Sequence, residues 1–409
     1  MLLRCPYRLM SARTKQIGIL GLMVLGFSLT GLKPGAKRSQ LSTAPGFNPV
    51  SESVSCQYVR LPDLPAQHGR PNLGVAGAFA GVSHDALIVA GGANFPNGFP
   101  WQGGTKVWHS TVYVLVHKGD TYQWQSTQQL DRVRAYGGSV SWNEQLICLG
   151  GSDDKQRFAD VFSLNWNPSS ATLEQKPLPP LPMPLANLAA TVSANKLYVF
   201  GGESNGGTEK GLYRLDLKEP TTGWQKLADL PGPARAYTAM TTQLNGTGQS
   251  LYVVGGRQTV EGVTTVYSDA YEYHISLNQW ERLPDLPQTL AAHQVVASGL
   301  NSLLVFGGDD GQRLRQIEAL NNRLKEQPAG KEKIRLTSER NDLQIKHPGF
   351  NRTVWQFRTV TKTWSVVDTL PFPTPVTTPI VRWKDHFIIP SGEVSPGIRT
   401  PTIWKISIH

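Results

Sequence analysis

Charge is scarce in this sequence: Asp, Glu, Lys and Arg make up only 17% of its 409 residues. That poverty excludes a coiled coil or helical bundle, which would be rich in Glu, Lys and Ala. Cysteine is scarcer still, at three residues. With Cys5 near the N-terminus, Cys56 and Cys148 remain, and two isolated thiols do not make a disulfide framework. Disorder is excluded too, because apolar residues reach 39% and eleven tryptophans require a real core. What is abundant is Gly and Pro, at 40 and 29 residues, about 17% of the chain against a usual share of roughly 12%. The length would suit two or three average domains, but repeat architectures hold as much chain in one. The composition is that of a turn-rich β protein.

Residues 1–44 hold seven bases and no acid, arranged around the uncharged stretch Gln16–Leu32. A basic start, an apolar core of signal-peptide length and a polar exit predict an export signal. The alternative is an uncleaved signal anchor, and only then a membrane association. Either way the remainder, residues 45–409, is expected to be exported to the periplasm. Removing the seven bases takes the formal charge from +10 to +3, which gives no support for nucleic-acid binding.

One pattern recurs along this remainder: a β-rich run ending in Gly-Gly, another strand, then Trp and a Leu-Pro turn. The pairs are Gly91-Gly92, Gly150-Gly151, Gly201-Gly202, Gly255-Gly256 and Gly307-Gly308, with Ser391-Gly392 as a degenerate sixth. Their spacings are 59, 51, 54, 52 and 84 residues. A period of about 50 with four strands per unit resembles the kelch repeat, whose units are propeller blades. The glycines are expected where the second strand of each blade crowds the axis. Trp224, Trp280 and Trp364 are expected to pack between blades.

The segment Tyr58–Pro65 matches a fourth strand with no first three before it, while the last repeat stops after three. The N-terminal strand is therefore predicted to complete the C-terminal blade and close an all-β ring of six blades. The long spacing marks an insertion, residues 312–349, in blade five. Leu314, Ile317, Leu320 and Leu324 predict an amphipathic helix in its first half. Two roles are open to it: packing on the rim, or covering the central pocket.

In antiparallel blades the loop into strand one and the exit from strand two share a face, and the axial funnel there is the expected ligand site. Asn94, Arg134, Arg235, His293, Asp309-Asp310, Glu393 and Arg399 fall on it. Arg134 and Arg235 stand in equivalent Arg-Ala-Tyr segments and serve equally as framework or as pocket groups. His293 reads more readily as structural, and Lys106 and His109 carry no decisive signal. Gly392–Thr400 (GEVSPGIRT) departs most from a plain blade, with an acid and a base six residues apart around a Pro-Gly turn.

The segments Gly74–Gly81, Ala86–Gly92, Arg134–Gly137 and Gly392–Thr400 resemble the bacterial sialic acid mutarotases, or N-acetylneuraminate epimerases. Such proteins are exported six-bladed kelch propellers, and the blade order here resembles their cyclically permuted branch. The resemblance implies that this chain interconverts the α and β anomers of N-acetylneuraminate or a similar acidic sugar. It places the family's glutamate and arginine on Glu393 and Arg399. Val394-Ser395, where a basic residue is found in the family, leaves the sugar open.

Opening and reclosing a hemiketal ring needs one group to take the anomeric proton and another to donate to the ring oxygen. Glu393 suits the first task, and the second group is not named by the sequence. Arg399, backed by Arg134 and Arg235, suits the substrate carboxylate. Asn94 suits a hydroxyl or acetamido group. The chemistry requires neither metal nor organic cofactor. A non-catalytic kelch module, binding carbohydrate or protein, is the competing expectation.

Overall fold

A computed structural model describes residues 54–409 apart from 68, 120 and 126. The proposed leader and Cys5 lie outside the described residues. Among those described, no helix is long and apolar enough to cross a membrane.

Six antiparallel sheets, each built on a four-strand path, form the ring. Their first strands begin at Phe79, Gly138, Ala189, Ala239, Gln294 and Val381. Second strands such as Ala86–Ala90 (ALIVA) and Lys196–Phe200 (KLYVF) are mostly apolar, include β-branched or aromatic residues, and are buried almost throughout. Their alternate side chains serve two different neighbours. Leu87 and Val89 pack with Ile388 and Ile403 of blade six, while Ile88 and Ala90 pack with Leu146 and Phe162 of blade two. The core is thus a set of wedges between blades rather than one central mass. Each buried Leu or Ile contributes roughly 1.5–3 kcal/mol.

The tryptophans stitch the wedges as expected. The indole N–H of Trp224 donates to Pro179 O at 3.0 Å, Trp280 to Ala228 O at 2.8 Å and Trp364 to Pro284 O at 2.9 Å. Each acceptor lies in the Leu-Pro turn of the preceding blade.

The di-glycines differ in detail from expectation. First strands, not second, lie innermost, with Ala80, Ser139, Ala190, Met240 and Val295 facing the channel. The glycines instead sit where strand two leaves the blade and meets the backbone of its neighbour. At Gly201, φ is +61° and a Cβ would stand 2.4 Å from Arg235 O. Ser391 occupies the same kind of position in blade six at φ +66°. Its hydroxyl accepts from Val75 N at 2.9 Å and donates to Thr400 O at 2.6 Å. The Val75 bond ties blade six to the start of blade one, and the two bonds together offset a left-handed cost of about 1–2 kcal/mol.

The ring closes as predicted. Cys56–Leu61 pairs antiparallel with Ile398–Ile408, with Tyr58 opposite Ile406. The Tyr58 hydroxyl also donates to Asp368 of blade five at 2.8 Å.

The insertion holds two helices, α1 (Gln312–Glu326) and α2 (Lys331–Ile345). The first was expected. The second was not legible because only Leu336 of its side chains is buried. Leu320, Leu324 and Leu336 form a small core between the helices.

Candidate active site

Six equivalent residues, each following its glycine pair or Ser391-Gly392, make antiparallel bridges to the loops entering strand one. They are Ala93, Ser152, Glu203, Arg257, Asp309 and Glu393, bridged to Ala76, Ala135, Ala186, Ala236, Ala291 and Val376. The residue after each of those bridge partners takes a left-handed backbone: Gly77, Tyr136, Asn187, Tyr237, Ala292 and Thr377. Their amides reach round the axis from blade to blade, as in Tyr136 N to Gly77 O at 2.7 Å and Asn187 N to Tyr136 O at 2.6 Å. The result is a collar of backbone, above which a cavity of about 420 Å³ opens.

Glu393 and Arg399 both line this cavity. They are direct cross-strand partners in the last hairpin, whose turn is Pro396-Gly397 with Gly397 at φ +82°. Pro followed by a positive-φ Gly is the signature of a type II turn. Glu393 Oε1 accepts from the Gly397 amide at 2.7 Å and from Arg399 Nη1 at 3.1 Å. Its Oε2 makes no hydrogen bond among the described residues. The Arg399 side chain is only 4% exposed, stacks over Phe95 at 4.7 Å, and leaves its Nε buried without a partner. One carboxylate oxygen is thus fixed and the other is open to a ligand's proton.

Around this pair stand groups that sequence reasoning missed or left undecided. Lys106 faces the rings of Tyr136, Trp108 and Phe95 at 5.2, 5.5 and 6.0 Å. Burial lowers its proton affinity, as does the like charge of Arg399, while Glu393 opposes them. Burial pushes the Tyr136 phenol up to about 12. Across the axis, Arg257 lies over the Tyr237 ring at 3.9 Å. Burial raises the carboxyl of neighbouring Asp309 despite the Gly311 amide and the Arg257 charge. Arg257, unlike Asp309, was missed by the sequence reading and could have been found by aligning the repeats on their glycines, because both occupy the place Glu393 holds in blade six.

Three residues expected to bind the ligand, Arg134, Arg235 and Asn94, do not line this cavity, which corrects the placement expected for them. The fully buried Arg235 pairs with both oxygens of Asp269, at 2.6 and 2.9 Å, between Tyr267 and Tyr271. Arg134, also fully buried, reaches Asp131 at 3.0 Å and lies over Phe162 at 4.7 Å. Both arginines turn into a wedge while the Tyr two positions on takes the axis. Asn94 is buried, donates to Gly74 O and contacts the His109 ring, each at 2.9 Å. Its role is to brace the loop that carries Lys106. His293 is buried below the collar, with neither ring nitrogen partnered among the described residues.

The insertion both packs and covers. Glu318 of α1 accepts from the Thr264 amide of blade four at 3.0 Å, and Leu314 enters the cavity wall. From α2, Asn341 donates to Trp101 O of blade one at 3.4 Å.

Fold and site together define a six-bladed kelch-type propeller with a charged axial pocket sized for a small polar ligand. The chain belongs to the N-acetylneuraminate epimerase family, whose sequence profile matches residues 30–173 and 178–409. It is 30% identical over 237 residues to a Kelch domain-containing protein of Vibrio cholerae, covering 54% of this chain and 61% of that protein. To an N-acetylneuraminate epimerase of Yersinia enterocolitica it is 35% identical over 154 residues, 35% of this chain and 37% of that one. To another from Salmonella arizonae it is 28% identical over 237 residues, 56% of this chain and 58% of that one. The chain therefore spans between about a third and three fifths of these relatives' lengths. A solved structure of YjhT shares the fold, with TM-score 0.59 and 16% identity over 85% of this chain and 99% of that one.

Proposed function

We propose that this protein is a mutarotase interconverting the α and β anomers of N-acetylneuraminate or a closely similar acidic sugar. The observation that carries this reading is the Glu393–Arg399 pair, joined at 3.1 Å inside the axial cavity. Glu393 Oε2 takes the proton of the anomeric hydroxyl as the ring carbon–oxygen bond breaks. The bond's electron pair passes to the ring oxygen, which takes a proton from water or a neighbouring donor. Rotation about the adjoining carbon–carbon bond and reversal of both transfers give the other anomer. General acid–base help of this kind is worth about 10²–10⁴-fold. The remaining guanidinium N–H groups of Arg399 suit the carboxylate on the reacting carbon. The basic leader and apolar stretch support action in the periplasm.

Anomer-resolved NMR on a panel of freshly dissolved acidic and neutral sugars tests the reading. Acceleration is expected for N-acetylneuraminate and weak or absent for neutral sugars. Binding without acceleration of any of them would point to a carbohydrate-binding module instead.

A further inference from the structure

Inverting an anomeric carbon exchanges the places of its two exocyclic groups. If the other ring atoms of a ketose acid stay where they are, the carboxylate of one anomer lies where the hydroxyl lies in its counterpart. A site serving both anomers without turning the sugar over therefore needs a cation for each of two carboxylate positions. Arg399 supplies only one.

Resting on the mutarotase reading, we propose that Lys106 is the second substrate-binding cation, holding the carboxylate of one anomer while Arg399 holds that of the other. Lys106 and Arg399 share the Phe95 ring, at 6.0 and 4.7 Å, and line one cavity with Glu393. Among the described residues the Lys106 ammonium has no hydrogen bond and no ion pair. Arg134, Arg235 and Arg399, in contrast, are each matched to a carboxylate. An ammonium held among Phe95, Trp108 and Tyr136 has lost hydration without gaining an anion, and a ligand carboxylate supplies what is missing.

The position is rigid. Strands Ala93–Asn94 and Val107–Trp108 pair directly beside Lys106, and the Asn94–His109 contact at 2.9 Å braces them. The ammonium is presented from the base of a hairpin rather than from a loose loop tip. It also supplies a positive charge near the catalytic segment, where Val394-Ser395 carries none.

The test uses the 2-O-methyl α- and β-glycosides of N-acetylneuraminate, which cannot interconvert, as competitive inhibitors of wild type, Lys106→Met and Lys106→Arg. In Lys106→Met the inhibition constant of one glycoside should rise at least tenfold while the other moves less than threefold. Lys106→Arg should restore most of the loss, and thermal melting should show all three folded. An active wild type whose Lys106→Met variant binds both glycosides as before, or loses both equally, overturns the Lys106 assignment alone. A wild type that does not speed anomer exchange overturns the mutarotase reading, and this inference with it.

Discussion

Glu393 and Arg399 face one another across the final hairpin, with Arg399 Nη1 donating to Glu393 Oε1 at 3.1 Å. The same oxygen accepts the Gly397 amide, so backbone and guanidinium fix the carboxylate together. The turn Pro396-Gly397 makes the two residues opposite partners. Acid and cation thus reach the cavity as one unit.

Arg235 is predicted to act on stability and not on substrate affinity. Arg235→Met strands the Asp269 carboxylate, whose side chain is only 12% exposed. Removing one member of such a pair costs about 3–5 kcal/mol. Denaturant unfolding should show that loss, while the KM of the protein still folded stays within twofold of wild type. A raised KM at unchanged stability would return Arg235 to the ligand.

His293 should make the fold sensitive to mild acid. Burial pulls its pKa from 6.5 down to about 4. Between these values the unfolded chain binds a proton that the folded chain refuses, so stability is full above the unfolded value and falls as pH drops through the window. The loss amounts to roughly 3 kcal/mol. Unfolding measured at pH 7 and pH 4.5 should show a smaller difference in His293→Gln than in wild type. Equal differences would mean that the imidazole does not titrate as its burial requires.

Gly201→Ala should destabilise by at least about 2 kcal/mol, from left-handed strain and a backbone clash combined. Its Cβ would meet Arg235 O at 2.4 Å, and a carbonyl in a neighbouring blade cannot give way as a flexible side chain can. Gly103→Ala is the control, because φ there is +81° with nothing within 4 Å. Comparison of melting temperatures separates the clash from the strain. Equal effects would remove the packing argument for the glycine pairs.

The fold was legible because each blade repeats the same solution, so one degenerate copy such as Ser391-Gly392 could be recognised from five regular ones. Closure by Cys56–Leu61 followed from counting strands at the two ends. The site was only partly legible. Sequence placed Arg134 and Tyr136 on the same face, but only the left-handed backbone of Tyr136 decides which of them meets the axis. Arg257 was hidden because its blade looks ordinary around it, whereas Asp309 was already placed on the axial face. Lys106 was left undecided because nothing in the sequence shows that Phe95, Trp108 and Tyr136 gather around its ammonium. The helix Lys331–Ile345 shows little amphipathic pattern, since it buries one residue.

The most direct measurement is the NMR rate of anomer exchange in N-acetylneuraminate freshly dissolved as a single anomer, with wild type and Glu393→Gln at equal concentration. Wild type should hasten equilibration far beyond the spontaneous rate, and Glu393→Gln should fall about 10²–10⁴-fold below it. A wild type that leaves the spontaneous rate unchanged, or a variant as fast as wild type, would contradict the account.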